Sequence, residues 1–307
     1  MSLYKQISEV CDLLDDPNIS GDKLEKMLRD RGADYVSLRT LEDDKGSTDF
    51  LKVVIKGMND KAPKIGIIGR LGGVGARPYQ LGLVSDADGA IVALSCAFKL
   101  CEMKKRGDVL AGDAIITTHV TPKAPVRPHK PVPMMESPVD IFKLLKLEVD
   151  PEMDGILSID ATKANRVIKS LDIAITPTIK EGWILKVSDD LLDIYSWVTG
   201  HEPYVVPITM QDVIPFSTPV YHINSIIQPW IYTEAPVVGV AITAKSVIPG
   251  SATGVTDIYA LDKACRFVIE VAKGFTENRI KLYDEEEYKK IREIHGDIGE
   301  ILRRGAP

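Results

Sequence analysis

The chain has 307 residues, 45% of them apolar and 27% charged, with a formal net charge of −6. That is enough apolar material for a full three-layer core, and the basic residues are not gathered into one tract, so nucleic acid is not an expected partner. The longest apolar run is interrupted by Ser95 and Lys99, no leader-like stretch opens the chain, and Cys11, Cys96, Cys101 and Cys265 form no C-x-x-C pair, so the sequence reads as cytoplasmic, with no membrane partner and with buried free thiols.

Leu3, Ile7, Val10 and Leu14 recur at helical spacing ahead of Pro17. Ser20 is a cap for a second helix that buries Leu24, Met27 and Leu28 and stops at Gly32. The mixed charges from Glu42 to Asp49 read as a solvated loop before a strand at Lys52–Lys56. Lys64–Gly69 is a short apolar strand followed by a glycine-rich turn. Gly69, Gly72, Gly73 and Gly75 do not give G-x-G-x-x-G, and Pro78 stands where a phosphate-binding helix should run, which argues against a dinucleotide.

Gly82 to Cys101 then opens on Asp86 and Asp88 and becomes a helix that is apolar on nearly every face, so it must be central. The two aspartates suit a helix N-terminus as caps, and a ligand-holding role for Asp86 stands beside that reading. Ala114–Val120 is a buried strand with His119 near its end. Pro122, Pro125, Pro128 and Pro131 follow at the three-residue period of polyproline II, with Lys123, Arg127, His129 and Lys130 interleaved. This arm, 122–138, is expected to be extended, without regular hydrogen-bonded structure, and on the surface or against a second subunit.

Gly155–Asp160 is a strand that delivers Asp160 at its carboxyl end, where sites in open α/β sheets collect. Short strands at Ile173–Ile175 and Trp183–Val187 precede a helix at Asp189–Val198, with Leu192, Tyr195 and Trp197 available for packing. Val237–Thr243 is a strong strand before a small-residue loop and a helix at Asp257–Lys273. Asp284–Arg304 reads as one amphipathic helix with Glu285–Lys289 and Glu286–Lys290 pairs and a stripe of Tyr288, Ile291, Ile294, Ile298 and Ile301, as core cover or a subunit contact. Strands alternate with helices throughout, which gives an α/β fold: one domain, 1–307, with helices on both faces of a mainly parallel mixed sheet.

This order of elements resembles the di-zinc aminopeptidase and deacylase superfamily, and the chain is identified as a member of an uncharacterised bacterial and archaeal family related to it. The resemblance implies a three-layer α/β/α sandwich of zinc-aminopeptidase (phosphorylase/hydrolase-like) type. In those enzymes two metals are held by a His in an H-x-D turn, a bridging Asp, a Glu of a Glu-Glu pair, a strand-end acid and a late His. Asp86 falls on the bridging Asp and Asp160 on the strand-end acid. Arg70 and Gly72 stand in place of the H-x-D residues, Thr118–Pro122 contains no carboxylate where the Glu pair belongs, and Pro249–Ser251 lacks the late His.

The resemblance therefore implies a degenerate metal site in a cleft lined by Arg70, Asp86, Asp88, His119 and Asp160. Arg70 is expected to pair with Asp86 or Asp160 and to take over the charge of the lost metal. No catalytic residue is assigned, and the expected function is binding of a small peptide or amino-acid-like ligand without a cofactor. Two alternatives stand beside it. One is a metal-dependent aminopeptidase or amidohydrolase using a divalent metal on Asp86, Asp160 and His119, with His129 as a further candidate. The other is a homo-oligomeric interaction protein with a vestigial cleft.

Overall fold

The structure, a computed structural model, describes residues 3–307 apart from 71–72, 78–79, 129, 131–133, 164–165 and 249–255. It opens with α1 (Tyr4–Asp15) and α2 (Gly21–Asp30), and the Ser20 hydroxyl accepts from the Lys23 amide to cap the second helix. Next, β1 (Tyr35–Asp43) and β2 (Gly46–Ile55) form an antiparallel hairpin. The run expected as a solvated loop at Glu42–Asp49 is strand and turn, while Glu42 to Ser47 are exposed as expected. The polar side chains of that run have structural partners: the Thr48 hydroxyl bonds the Val120 carbonyl and Thr121, and Asp49 accepts from the Gly21 amide and Thr40.

Then come β3 (Ile65–Gly69), β4 (Gly73–Arg77), β5 (Gln80–Leu81), a 3-10 turn at Ser85–Ala87 and the central helix α3 (Asp88–Lys105). They lead to β6 (Ala114–Ala124), β7 (Val126–Arg127), β8 (Met134–Met135), α4 (Ile141–Glu148) and β9 (Gly155–Thr162). The second half carries β10 (Ile173–Ile175), β11 (Thr178–Lys180), β12 (Trp183–Leu185), α5 (Asp189–Thr199), α6 (Met210–Val213) and a 3-10 turn at Gln228–Tyr232. It ends with β13 (Val237–Thr243), α7 (Ile258–Thr276), α8 (Glu285–His295) and α9 (Gly299–Leu302).

The main sheet runs β1-β2-β6-β3-β9-β13-β11-β12, and its centre, β6-β3-β9-β13, is parallel. The alternation of side chains separates two cores. Ile67, Ile116, Leu157, Ile159 and Val240 face α1, α3 and α7, whereas Ile68, Ile115, Ile156 and Ala241 face α4 and the Gln228–Tyr232 turn. The result is a three-layer α/β/α arrangement. Within it α3 is buried along most of its length, as a helix without a polar face must be. Gly69 and Gly89 let it approach the sheet: a Cβ on Gly89 would lie 2.5 Å from the Arg70 carbonyl oxygen and 2.6 Å from that of Ile159. Among the described residues no helix is long and apolar enough to cross a membrane.

Further expectations are corrected. The proline segment is extended but bonded: β6 runs through Pro122 to Ala124 beside β4, β7 pairs with β8, and the Pro125 carbonyl accepts from the Glu136 amide. Proline removes only its own donor, so its carbonyls and neighbours still form ladders. Trp197 is 76% exposed and packs nothing into the core, and Cys11 is only partly buried. The C-terminal helix is two pieces, broken at Gly296 with φ 74°, and its stripe is only partial cover: Ile294 and Ile301 are exposed, whereas Tyr288, which packs on Tyr283, Ile291 and Ile298 are half-buried. Its Lys289 and Lys290 pair three residues back with Glu286 and Glu287, instead of four residues back with Glu285 and Glu286.

Candidate functional site

The site is built from strand register. Gly69 lies level with Thr118 of β6 and Ile159 of β9, so one residue further on Arg70, His119 and Asp160 form a row across three neighbouring strands. The Arg70 amide donates to the Ile159 carbonyl at 2.9 Å, continuing the ladder. By the two-residue alternation all three side chains lie on the α4 face. The connection leaving β3 crosses the opposite face through α3 and the one leaving β6 crosses the α4 face, so the row sits beside a topological switch point.

Glu148, the last residue of α4, completes the row. Its carboxylate lies 3.4 Å from Arg70 Nε and 3.7 Å from His119 Nε2. Arg70, Glu148, His119 and Asp160 are 1, 1, 2 and 4% exposed. Arg70 Nη1 also donates to the Ser225 carbonyl, and His119 Nδ1 lies 3.2 Å from the Thr48 hydroxyl. Three buried atoms that face one another, Arg70 Nε, His119 Nε2 and Glu148 Oε2, have no hydrogen-bond partner. A buried polar group left without any compensating partner costs about 1–3 kcal/mol.

Burial sets the protonation states. It pushes the Asp160 carboxyl up to about 7, against the pull of the Arg70 guanidinium and with the help of Asp86 and Glu148. Burial also raises Glu148, opposed by Arg70, and brings His119 down to about 4, aided by Arg70. Beside the row, Asp88 begins α3 and forms a fully buried ion pair with Lys163, just past β9. Burial outweighs that lysine and pushes Asp88 up to about 6, with Asp86 adding to the rise. The N-cap position of α3 falls on Ala87, so neither aspartate caps it.

The ion pair recorded for Arg70 is with Glu148, a residue the sequence reading did not count. One signal was available: an acid on the last turn of a helix opposes the dipole. Lys163 was missed as well, since nothing in its flanking residues marks it as buried. His129 lies outside the described residues, as does 249–255, where the late histidine of the enzymes would fall.

The row does not fit a divalent metal held between His119 and Asp160. Strands lie ~4.8 Å apart, so the space between the outer two residues is the space above β3, and the fixed charge of Arg70 stands there. Among the described residues no cluster of three or more His, Cys, Asp or Glu side chains is arranged to hold a metal ion.

Comparison with solved structures finds a cytosol aminopeptidase from Coxiella burnetii that is similar over 90% of this chain and 69% of that one, with a TM-score of 0.50 and 12% identity. At that identity the likeness is one of fold. Comparison with curated protein sequences returns no match. A family model described as a protein of unknown function, DUF1177, matches residues 39–305.

Proposed function

The chain belongs to the DUF1177 family of proteins of unknown function, and we propose that it is a cytoplasmic protein that binds a small peptide or amino-acid-like ligand at the carboxyl ends of β6, β3 and β9, without two-metal catalysis. The observation that carries this reading is the register of Arg70 between His119 and Asp160, with Arg70 Nε itself, His119 Nε2 and Glu148 Oε2 buried and lacking hydrogen-bond partners. A fixed cation supplies charge where a metal would supply chemistry, and unmet donors and acceptors in a buried row favour a small polar occupant.

The charges also set the character of that occupant. Burial raises the carboxyls of Asp88 and Asp160 despite Lys163 and Arg70, so an ammonium group beside them favours their charged forms. Whole residues 1–307 serve as one domain around this site in the proposed reading.

The test is titration of the purified protein with free amino acids and dipeptides by calorimetry, beside metal analysis and an aminopeptidase assay. Saturable binding that weakens at least tenfold in Asp160→Asn, without turnover, is the expected result. Stoichiometric metal together with turnover that EDTA abolishes would sink the proposal and favour a hydrolase that uses Asp86, Asp160 and His119.

A further inference from the structure

The row is buried, so a ligand needs a way in. Residues 224–226 lie along the face of β9 that carries Asp160. The Ser158 hydroxyl donates to the Ile226 carbonyl, and the Asn224 side chain donates to the Thr162 hydroxyl at 3.0 Å, so the contacts fall on either side of Asp160. Between them the Ser225 carbonyl accepts from Arg70. This segment is therefore the cover over the row.

The piece of chain that carries it is braced to itself. Asp212 accepts from the amides of Ile223 and Asn224 as well as from Thr209, and the Gln228 side chain donates to the carbonyls of Asp212 and Ile214 while accepting from the Phe216 amide. Trp230 Nε1 closes the base on the Val213 carbonyl. From 214 to 227 there is no helix or strand, so this region has no ladder to the sheet, and Asn224 and Ser225 are joined to the strand ends by side-chain bonds. A segment without ladder bonds opens more readily than a strand, and opening here must also withdraw the buried Ile226 side chain from the α4-side core.

We propose that the 214–226 segment is a movable cover of the buried row, latched by Asn224 on Thr162, by Ser225 on Arg70 and by Ile226 on Ser158, and that small ligands reach Arg70 and Asp160 when these latches release. The inference rests on the row being a ligand site, but the opening itself can be measured without any ligand. Arg70 then has two tasks in one place: its guanidinium holds the cover and meets what enters beneath it.

The test is Thr162→Val, which removes one latch at nearly constant volume. Hydrogen exchange followed by mass spectrometry should accelerate at least tenfold at Asn224 and Ile226, while β9 and β13 keep their protection. In a second measurement, Asp160→Cys serves as a reporter for iodoacetamide, with the labelled peptide identified by mass. Adding Thr162→Val should raise its labelling rate at least tenfold. Unchanged exchange at 224–226, or equal labelling with the latch intact and removed, would overturn the cover, and the ligand reading would then still stand or fall on calorimetry. Failure of every amino acid and dipeptide to bind, with faster labelling observed, would leave the cover in place and remove the proposed ligand class.

Discussion

On the α3 side of the sheet the parallel strands present Ile67, Ile116 and Ile159 to a helix covered along most of its length, and on the α4 side, near the same strand ends, they present Arg70, His119 and Asp160. The backbone is shared, so the contrast comes from the two-residue alternation alone. The first side gains from removing apolar surface from water, and close packing of α3 depends on two glycines. The second side buries charge, and burial of charge is favourable only where partners compensate it. Here they compensate it in part: Arg70 has Glu148 and the Ser225 carbonyl, while three atoms of the cluster go unmet. One side therefore serves stability and the other holds a poised polar site.

The largest expected effect breaks the polar side at its centre. Arg70→Ala leaves Glu148 and Asp160 buried without their cation and should lower stability by about 3–5 kcal/mol in urea unfolding. Arg70→Met with Glu148→Leu removes both charges and should recover much of that loss, because the penalty belongs to the unpaired charge and not to the pair. Equal losses in the single and double variants would show that the ion pair is not what Arg70 is there to satisfy.

The next effect separates the acids from the histidine by pH. Asp160, raised to about 7, holds a proton in the folded state that the unfolded chain releases above its ordinary value near 4. The folded state thus binds more protons, and stability from this group rises as pH falls from about 8 towards 5, with Asp88 acting in the same direction below about 6. His119 has the opposite sign: lowered to about 4, it is neutral when folded while the unfolded chain takes up a proton near 6.5, so its contribution is lost as pH falls from about 6.5 to 4. The charged groups around Asp160 are Arg70, Asp86 and Glu148, and those facing His119 are Arg70 and Glu148. Asp160→Asn should therefore be more stable than the natural protein at pH 8, by a few kcal/mol at most, and should lose that advantage near pH 5. His119→Gln should flatten the acid limb. A wild-type stability profile unchanged by Asp160→Asn would contradict the burial of an ionised carboxyl.

The contrast also explains what was legible in the residues. The apolar side could be read directly: the α3 sequence has no polar face, and KIGIIG and GILSID are recognisable strands. Arg70, His119 and Asp160 could be placed at strand ends. That they share one row depends on register, which is set by pairing between segments far apart in sequence. Glu148 and Lys163 reach the site through tertiary packing; an acid on the last turn of a helix is the local hint for Glu148, and no local pattern announces Lys163. The β1–β2 hairpin was hidden because its charged residues look solvated, although Thr48 and Asp49 bond to groups distant in sequence. The resemblance in element order gave the three-layer fold, and the structural likeness at 12% identity agrees with it at the level of fold.

The apolar side is tested by Gly89→Ala. Its new Cβ would meet backbone oxygens of Arg70 and Ile159, which have no rotamer to move away by, so α3 must shift from the strand ends. Overpacking of this kind costs about 1–3 kcal/mol. Because the displaced backbone includes Arg70, the variant should also disturb the polar row, and its loss should be less than additive with that of Arg70→Ala. Full additivity would mean that the two sides of the sheet are independent at this point.

The smallest effect lies far from both sides. Ile294 on α8 is 73% exposed, and none of the residues of that helix is buried. In the isolated chain Ile294→Ser removes an apolar group that is already in water, so unfolding stability should change by no more than about 0.5 kcal/mol. The same substitution at Ile91 of α3, which is 0% exposed, removes most of a buried side chain and strands a hydroxyl, and should cost several times more, about 2–5 kcal/mol. Measured together by urea titration, the pair calibrates the comparison between a buried helix and one seated on the surface through Arg292 on Glu181 and Tyr288 on Tyr283. A loss above about 1 kcal/mol at Ile294 that grows with protein concentration would show that α8 is covered by a second copy of the chain, since only a concentration-dependent partner makes stability depend on the amount of protein present.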